Sequence, residues 1–213
     1  MPTDQEIPMP FTPREASFIT TAVNPGGYPP EGPPEVAFAG RSNVGKSSLI
    51  NTLTGRRKLV RVSGRPGCTQ QINFFSVNQD ALRLVDLPGY GFAKVPLEVK
   101  NTWRKMIEGY LTRRPTLKAV VVILDIRRDP TDEDLMLLEW LHSYQLATLV
   151  VLTKLDKLSN NQAASRLAKL RRALAHLDPQ PTGFSSQTGH GRDQLWQRIL
   201  AAAGLEEGAG PGE

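Results

Sequence analysis

The sequence predicts a three-layer α/β fold, a mostly parallel central sheet with helices on both faces, and three observations lead to it. Apolar runs bounded by turn residues alternate with segments of helical spacing along most of the chain. The run Val120-Val121-Val122-Ile123-Leu124 is apolar at every position, which is the pattern of a strand covered by helices on both faces. A glycine-rich stretch, Gly40 to Ser47, joins a strand-like run to a helix-like one and so sets a binding turn at the strands' C-terminal edge.

In chain order the expected strands are Val36 to Ala39, Ile72 to Val77, Leu82 to Val85, Ala119 to Leu124 and Thr148 to Leu152, with a weaker one at Thr182 to Phe184. The expected helices are Lys46 to Leu53, Pro96 to Leu111, Asp132 to Tyr144, Gln162 to Leu177 and Arg192 to Ala202. Residues 55–70 and 87–96 carry neither period and read as functional loops. No internal repeat or second domain is visible. The chain divides into a flexible tail over 1–15, one domain over 16–203 and a flexible tail over 204–213, both tails being too rich in Pro, Gly and acid to offset the entropy of ordering them.

Composition excludes several classes. No apolar run reaches the length of a membrane helix, and Asp4 and Glu6 stand where a signal peptide would be basic, so a cytoplasmic protein without a membrane partner is expected. The single cysteine, Cys68, rules out an internal disulfide and a Cys-based zinc site. The formal net charge of +5 suggests nucleic-acid contact by position more than by total. Five basic residues and no acid lie between Arg56 and Arg65 (Arg56, Arg57, Lys58, Arg61, Arg65), and Arg166, Lys169, Arg171 and Arg172 cluster later. Each cluster reads equally well as a solvated face.

Gly40-Arg41-Ser42-Asn43-Val44-Gly45-Lys46-Ser47 fills every fixed position of the G-x-x-x-x-G-K-[ST] phosphate-binding loop. Two glycines let the backbone N–H groups close around a polyphosphate, Lys46 adds a charge on the outer phosphates, and Ser47 offers a hydroxyl to Mg2+. The domain is therefore expected to be a P-loop NTPase.

Asp86-Leu87-Pro88-Gly89 ends the third expected strand, where the carboxylate can hold Mg2+ through water and Gly89 can give its N–H to a γ-phosphate. Thr153-Lys154-Leu155-Asp156 narrows the base: a carboxylate at Asp156 accepts two hydrogen bonds from guanine, whereas adenine has no such donor pair. Ser185-Ser186-Gln187 suits either backbone contact to the guanine O6 or a plain turn into a helix. Thr69, in Gly67-Cys68-Thr69-Gln70-Gln71, is the candidate for a first switch loop, its hydroxyl on Mg2+ and its N–H on the γ-phosphate. Lys46, Thr69 and Gly89 are the catalytic candidates.

These five elements in order resemble a translation-factor-type GTPase. Gly40 to Asn51, Thr69-Gln70-Gln71-Ile72-Asn73-Phe74-Phe75 and Asp86-Leu87-Pro88-Gly89-Tyr90-Gly91-Phe92-Ala93 together look like the EngB (YihA/YsxC) GTPases, over roughly Ala16 to Ala203. Era, TrmE and EngA share the phosphate loop but usually read D-T-P-G after the second strand. The resemblance implies a Ras-like G domain that binds GTP and GDP on the five segments above, with Mg2+ on Ser47 and Thr69. It also implies a role in assembly of the large ribosomal subunit, with a link to cell division and septation. One departure is Thr153, where most GTPases carry asparagine, which puts a contact between this loop and the phosphate loop in question; another is Cys68 beside Thr69.

Tyr90 follows Gly89 where many GTPases carry a water-orienting glutamine, so intrinsic turnover is expected on the order of 10⁻⁴ to 10⁻³ s⁻¹. Asn43 suits K+ coordination or a simple turn. The Arg56 to Arg65 loop is the preferred RNA surface because it leads into Thr69 and is expected to move on nucleotide exchange. A monomer is expected. The competing class is a GTP-dependent binding module that barely hydrolyses its nucleotide.

Overall fold

The computed structural model describes residues 13, 15–60, 71–90, 97–178 and 180–205, over 97–104 the backbone only. Its strands are β1 (Ala16–Ala22), β2 (Glu35–Gly40), β3 (Ile72–Val77), β4 (Leu82–Asp86), β5 (Leu117–Asp125), β6 (Thr148–Thr153) and β7 (Thr182–Gly183). Helices are α1 (Lys46–Thr54), α2 (Leu97–Arg113), α3 (Asp132–Ser143), α4 (Asn160–Ala173) and α5 (Arg192–Ala203). The sheet order is β1-β3-β4-β2-β5-β6-β7. The pairs β4/β2, β2/β5, β5/β6 and β6/β7 are parallel, and β1/β3 and β3/β4 are antiparallel.

Strand alternation divides the core into two layers. Val36, Phe38, Val121, Ile123 and Val151 face a cluster closed by α1 and α5, while Ala37, Ala39, Val120, Val122 and Val150 face one closed by α2, α3 and α4. Every residue of β2 is buried, as expected of a central strand covered on both faces.

Two differences from the sequence expectation lie at the sheet edge and the C-terminus. β1 was not expected: its register shifts between Phe18 and Thr20, and the irregular burial that follows hides the two-residue period of an edge strand. Leu205, expected in the tail, packs on the α1/α5 cluster. Gly204, at φ 70°, ends α5 and lets the Leu205 N–H reach the Leu200 carbonyl at 2.9 Å.

Candidate functional site

β2 runs directly into the phosphate loop, and Gly45, at φ 108°, turns that loop into α1. No side chain caps α1, so its first-turn N–H groups and positive dipole end remain for an anion. The loop's crest, Asn43, is exposed and left-handed at φ 63°.

Three strand ends meet this loop. From β4, Asp86 forms an ion pair with Lys46, both side chains largely buried. β6 contributes Thr153, whose hydroxyl lies 2.7 Å from the Val44 carbonyl and 3.1 Å from that of Leu124. The contact that the missing asparagine put in question is therefore made by the threonine. Lys154, left-handed at φ 64°, donates to the Asn43 carbonyl at 2.8 Å and to Asp125 at 3.0 Å. Asp125, at the end of β5, also accepts from Arg127 at 2.7 and 2.9 Å. Burial would raise its pKa, but the bonds from Arg127 and Lys154 outweigh that and hold the carboxyl well below the usual carboxylate range.

Asp156 is the middle residue of a single 3₁₀ turn, Leu155–Lys157, and accepts the Ser185 hydroxyl at 2.8 Å. That bond, opposed in part by desolvation, lowers its pKa, so the group is an ionised acceptor at neutral pH. Ser185 in turn accepts the N–H groups of Gln187 and Thr188, each at 3.2 Å. The Ser186 carbonyl lies 3.4 Å from the Thr52 hydroxyl of α1. The segments Gly40 to Ser47, Thr153 to Asp156 and Ser185 to Gln187 are thus one connected assembly.

The Asp86-Leu87-Pro88-Gly89 segment continues β4 alongside the loop, with Leu87 N–H on the Phe38 carbonyl at 3.1 Å. A Cβ on Gly89 would sit 3.0 Å from Ser42 Oγ and 3.4 Å from the Gly40 carbonyl, so any larger residue would crowd the loop and require Ser42 to give way. Tyr90 does not face the phosphate side. It is 9% exposed, and its hydroxyl donates to Asp134 of α3 at 2.8 Å. Burial, then the Asp134 charge, pushes its pKa well up.

Gln71 is exposed at the start of β3; Gly67, Cys68, Thr69 and Gln70 lie outside the described residues. The Arg56 to Arg65 expectation divides at Val60. Asn51, buried in α1, bonds Val60 reciprocally, side-chain N–H to carbonyl and backbone N–H to side-chain oxygen, both at 2.9 Å. Val60 is 5% exposed, so the segment carrying Arg56, Arg57 and Lys58 is anchored to α1 at that residue; Arg61 and Arg65 lie outside the described residues.

Ser47 and Asp86 bring oxygen donors to the start of α1, and among the described residues no group of three or more His, Cys, Asp or Glu could hold a metal. That donor set fits Mg2+, which favours a few protein oxygens together with phosphate and water over an all-protein cage. Sequence reasoning missed Asp125 and Asp134. The signals were there: Leu124-Asp125 repeats the strand-end pattern of Val85-Asp86, and Thr131-x-x-Asp134 has the spacing of a capping box.

Residues 35–154 match the family model described as "50S ribosome-binding GTPase". A relative from Geobacter metallireducens, described as a probable GTP-binding protein EngB, is 55% identical over 93% of this chain and 98% of its own. Its counterpart from Syntrophus aciditrophicus is 56% identical over 88% of this chain and 94% of its own. A crystal structure of a probable GTP-binding protein engB aligns with a TM-score of 0.64 at 27% identity, covering 81% of this chain and all of that one. With its phosphate loop, the strand end at Asp86 and the Thr153 to Asp156 loop held in one assembly, the chain belongs to the EngB family of GTP-binding proteins and is a P-loop GTPase.

Proposed function

We propose that this protein is a slow GTPase switch acting in assembly of the large ribosomal subunit, through which it supports normal cell division and septation. The observation that carries the nucleotide assignment is Asp156, ionised and fixed by Ser185, on a loop that Thr153 and Lys154 fasten to the phosphate loop. The ribosomal partner is supported by the description of the matching family model. It also fits exposed Arg57 and Lys58, cations that phosphate backbones would attract. We read the chain as a cytoplasmic monomer with one G domain over 16–203; among the described residues no helix is long and apolar enough to cross a membrane.

In this reading the loop N–H groups and Lys46 hold the β- and γ-phosphates, Gly89 gives its N–H to the γ-phosphate, and Asp156 selects guanine. Mg2+ on Ser47 and Thr69 would neutralise charge that builds on the phosphates. Alignment of the attacking water is the weak step, because the Tyr90 hydroxyl is committed to Asp134 and no glutamine stands there. Turnover without a partner is therefore on the order of 10⁻⁴ to 10⁻³ s⁻¹, and a rate above about 1 s⁻¹ for the isolated protein contradicts this. Exposed Asn43 at the loop crest supports K+ as an added charge on the phosphates; equal turnover in K+ and Na+ buffers speaks against it.

The decisive experiment is co-sedimentation with large ribosomal subunits. Wild-type protein should pellet with them in GTP and not in GDP, whereas Asp156→Asn should require xanthosine triphosphate in place of GTP, since an amide can donate to the xanthine O2. Co-sedimentation that ignores the nucleotide would refute the switch.

A further inference from the structure

Tyr90 is fastened to its surroundings in three ways. Its N–H donates to the Gly40 carbonyl and its own carbonyl accepts from Ser42 N–H, both at 3.3 Å, which ties the residue to the two sides of the phosphate loop's opening turn. Its ring is buried in the cluster that α3 covers. Its hydroxyl donates to Asp134 Oδ1 at 2.8 Å.

Asp134 has no slack to give. It is 4% exposed, and its other oxygen accepts both the N–H and the hydroxyl of Thr131 at 2.9 Å, closing the capping box that starts α3. The carboxylate is thereby fixed to a helix end, and Tyr90 is fixed to the carboxylate. The residue before Tyr90 is Gly89, which those two backbone bonds of Tyr90 hold beside Ser42 and Gly40, close enough that a Cβ on it would crowd both. In the reading above it is the γ-phosphate, absent from GDP, that takes the Gly89 N–H, on a segment whose neighbour Tyr90 already engages the loop through the Ser42 N–H.

We propose that Tyr90 is a positioning residue for nucleotide discrimination: its bond to Asp134 holds Gly89 down on the phosphate loop, so that accepting a γ-phosphate must strain or break that bond. The proposal rests on the guanine-nucleotide reading above. The latch acts on only one of the two nucleotide states, which is the condition for it to shift the balance between them. The N-terminus of α3 thus becomes part of the mechanism that distinguishes GTP from GDP.

The test compares affinities for GDP and for a non-hydrolysable GTP analogue in wild type, Tyr90→Phe, Asp134→Ala and Tyr110→Phe. Tyr110 is the control, because its hydroxyl makes a similar buried bond to a carboxylate, Glu35 at 2.9 Å, at the opposite end of β2. Tyr90→Phe keeps the ring and removes only the bond. It should raise the ratio of triphosphate to diphosphate affinity about tenfold, the scale of one hydrogen bond to a charged acceptor. Asp134→Ala should move the ratio the same way. Tyr110→Phe should lower the melting temperature yet keep the ratio within about twofold. An unmoved ratio in Tyr90→Phe, a shift toward GDP, or an equal shift in Tyr110→Phe overturns the proposal. Should Asp134→Ala fail to fold, Tyr90→Phe decides alone. Wild-type protein that does not prefer guanine over adenine nucleotides defeats the underlying reading as well; normal guanine binding with an unmoved ratio defeats this proposal only.

Discussion

Replacing Thr153 by valine removes one hydroxyl and almost nothing else. The side chain is 3% exposed and β-branched, and valine fills the same space, so neither a cavity nor a change of strand propensity accompanies the loss. The hydroxyl carries one proton and two carbonyls lie near it; Val44, at 2.7 Å against 3.1 Å for Leu124, is the better placed. The variant therefore leaves a buried carbonyl of the phosphate loop without this donor, at about 1–1.5 kcal/mol. For a chain of this length that lowers the melting temperature by roughly 2–6 °C. Because the bond shapes the loop before nucleotide arrives, its loss also moves ordering cost into binding, and GDP affinity should weaken by up to about tenfold. Thermal melts and fluorescent-GDP titrations read the two effects separately. Exposed Thr112, whose hydroxyl bonds only its own helix at Glu108, gives a valine variant that should alter neither. If Thr153→Val loses stability while GDP affinity stays within about twofold, the tie holds the fold but does not preorganise the loop, and the reasoning fails.

Glu35→Gln should cost about 3–5 kcal/mol, since Glu35 is fully buried and paired with Arg114 at 2.6 Å and Arg83 at 3.6 Å, and chemical denaturation will measure it. Lying at the start of β2, away from the phosphate loop, the same change should leave the nucleotide preference of the folded fraction alone. Asp125 has a folded-state pKa below its unfolded one. Its ionisation therefore contributes stability that is present above about pH 4 and lost as the pH falls through the folded value. Denaturation midpoints for wild type and Asp125→Asn should accordingly converge as the pH is lowered below about 4, and parallel curves down to acid would contradict the assignment.

Much of the central sheet was legible because its residues obey a single rule. The β5 run is apolar throughout, and the strand ends at Asp86 and Thr153 coincide with a switch from apolar to polar chemistry. β1 was not legible, since an edge strand is buried only where its partner demands it and the bulge at Phe18 breaks the alternation. The start of α4 fell two residues early at Asn160, capped by Ser159 and Gln162 in a reciprocal box whose spacing the apolar period does not contain. The direction of Tyr90 was invisible for a different reason. Its partner lies on α3, and no local pattern specifies a bond between segments that only the fold brings together. The loop order revealed that Lys154 and Asp156 belong with the phosphate loop; it did not reveal that Asp125 stands behind Lys154.

The position of β2 has a consequence for how the molecule comes into being. Val36 pairs with Leu84 on one side and Ala119 on the other, and Val44 waits for Thr153. A chain emerging from its N-terminus would thus present the phosphate loop long before the strands that shape it have been made. Pairings of such large separation are slow to form because distant segments must be brought together before any contact rewards it. Nucleotide binding should accordingly be one of the last properties that a newly made chain acquires, appearing only once β6 has docked.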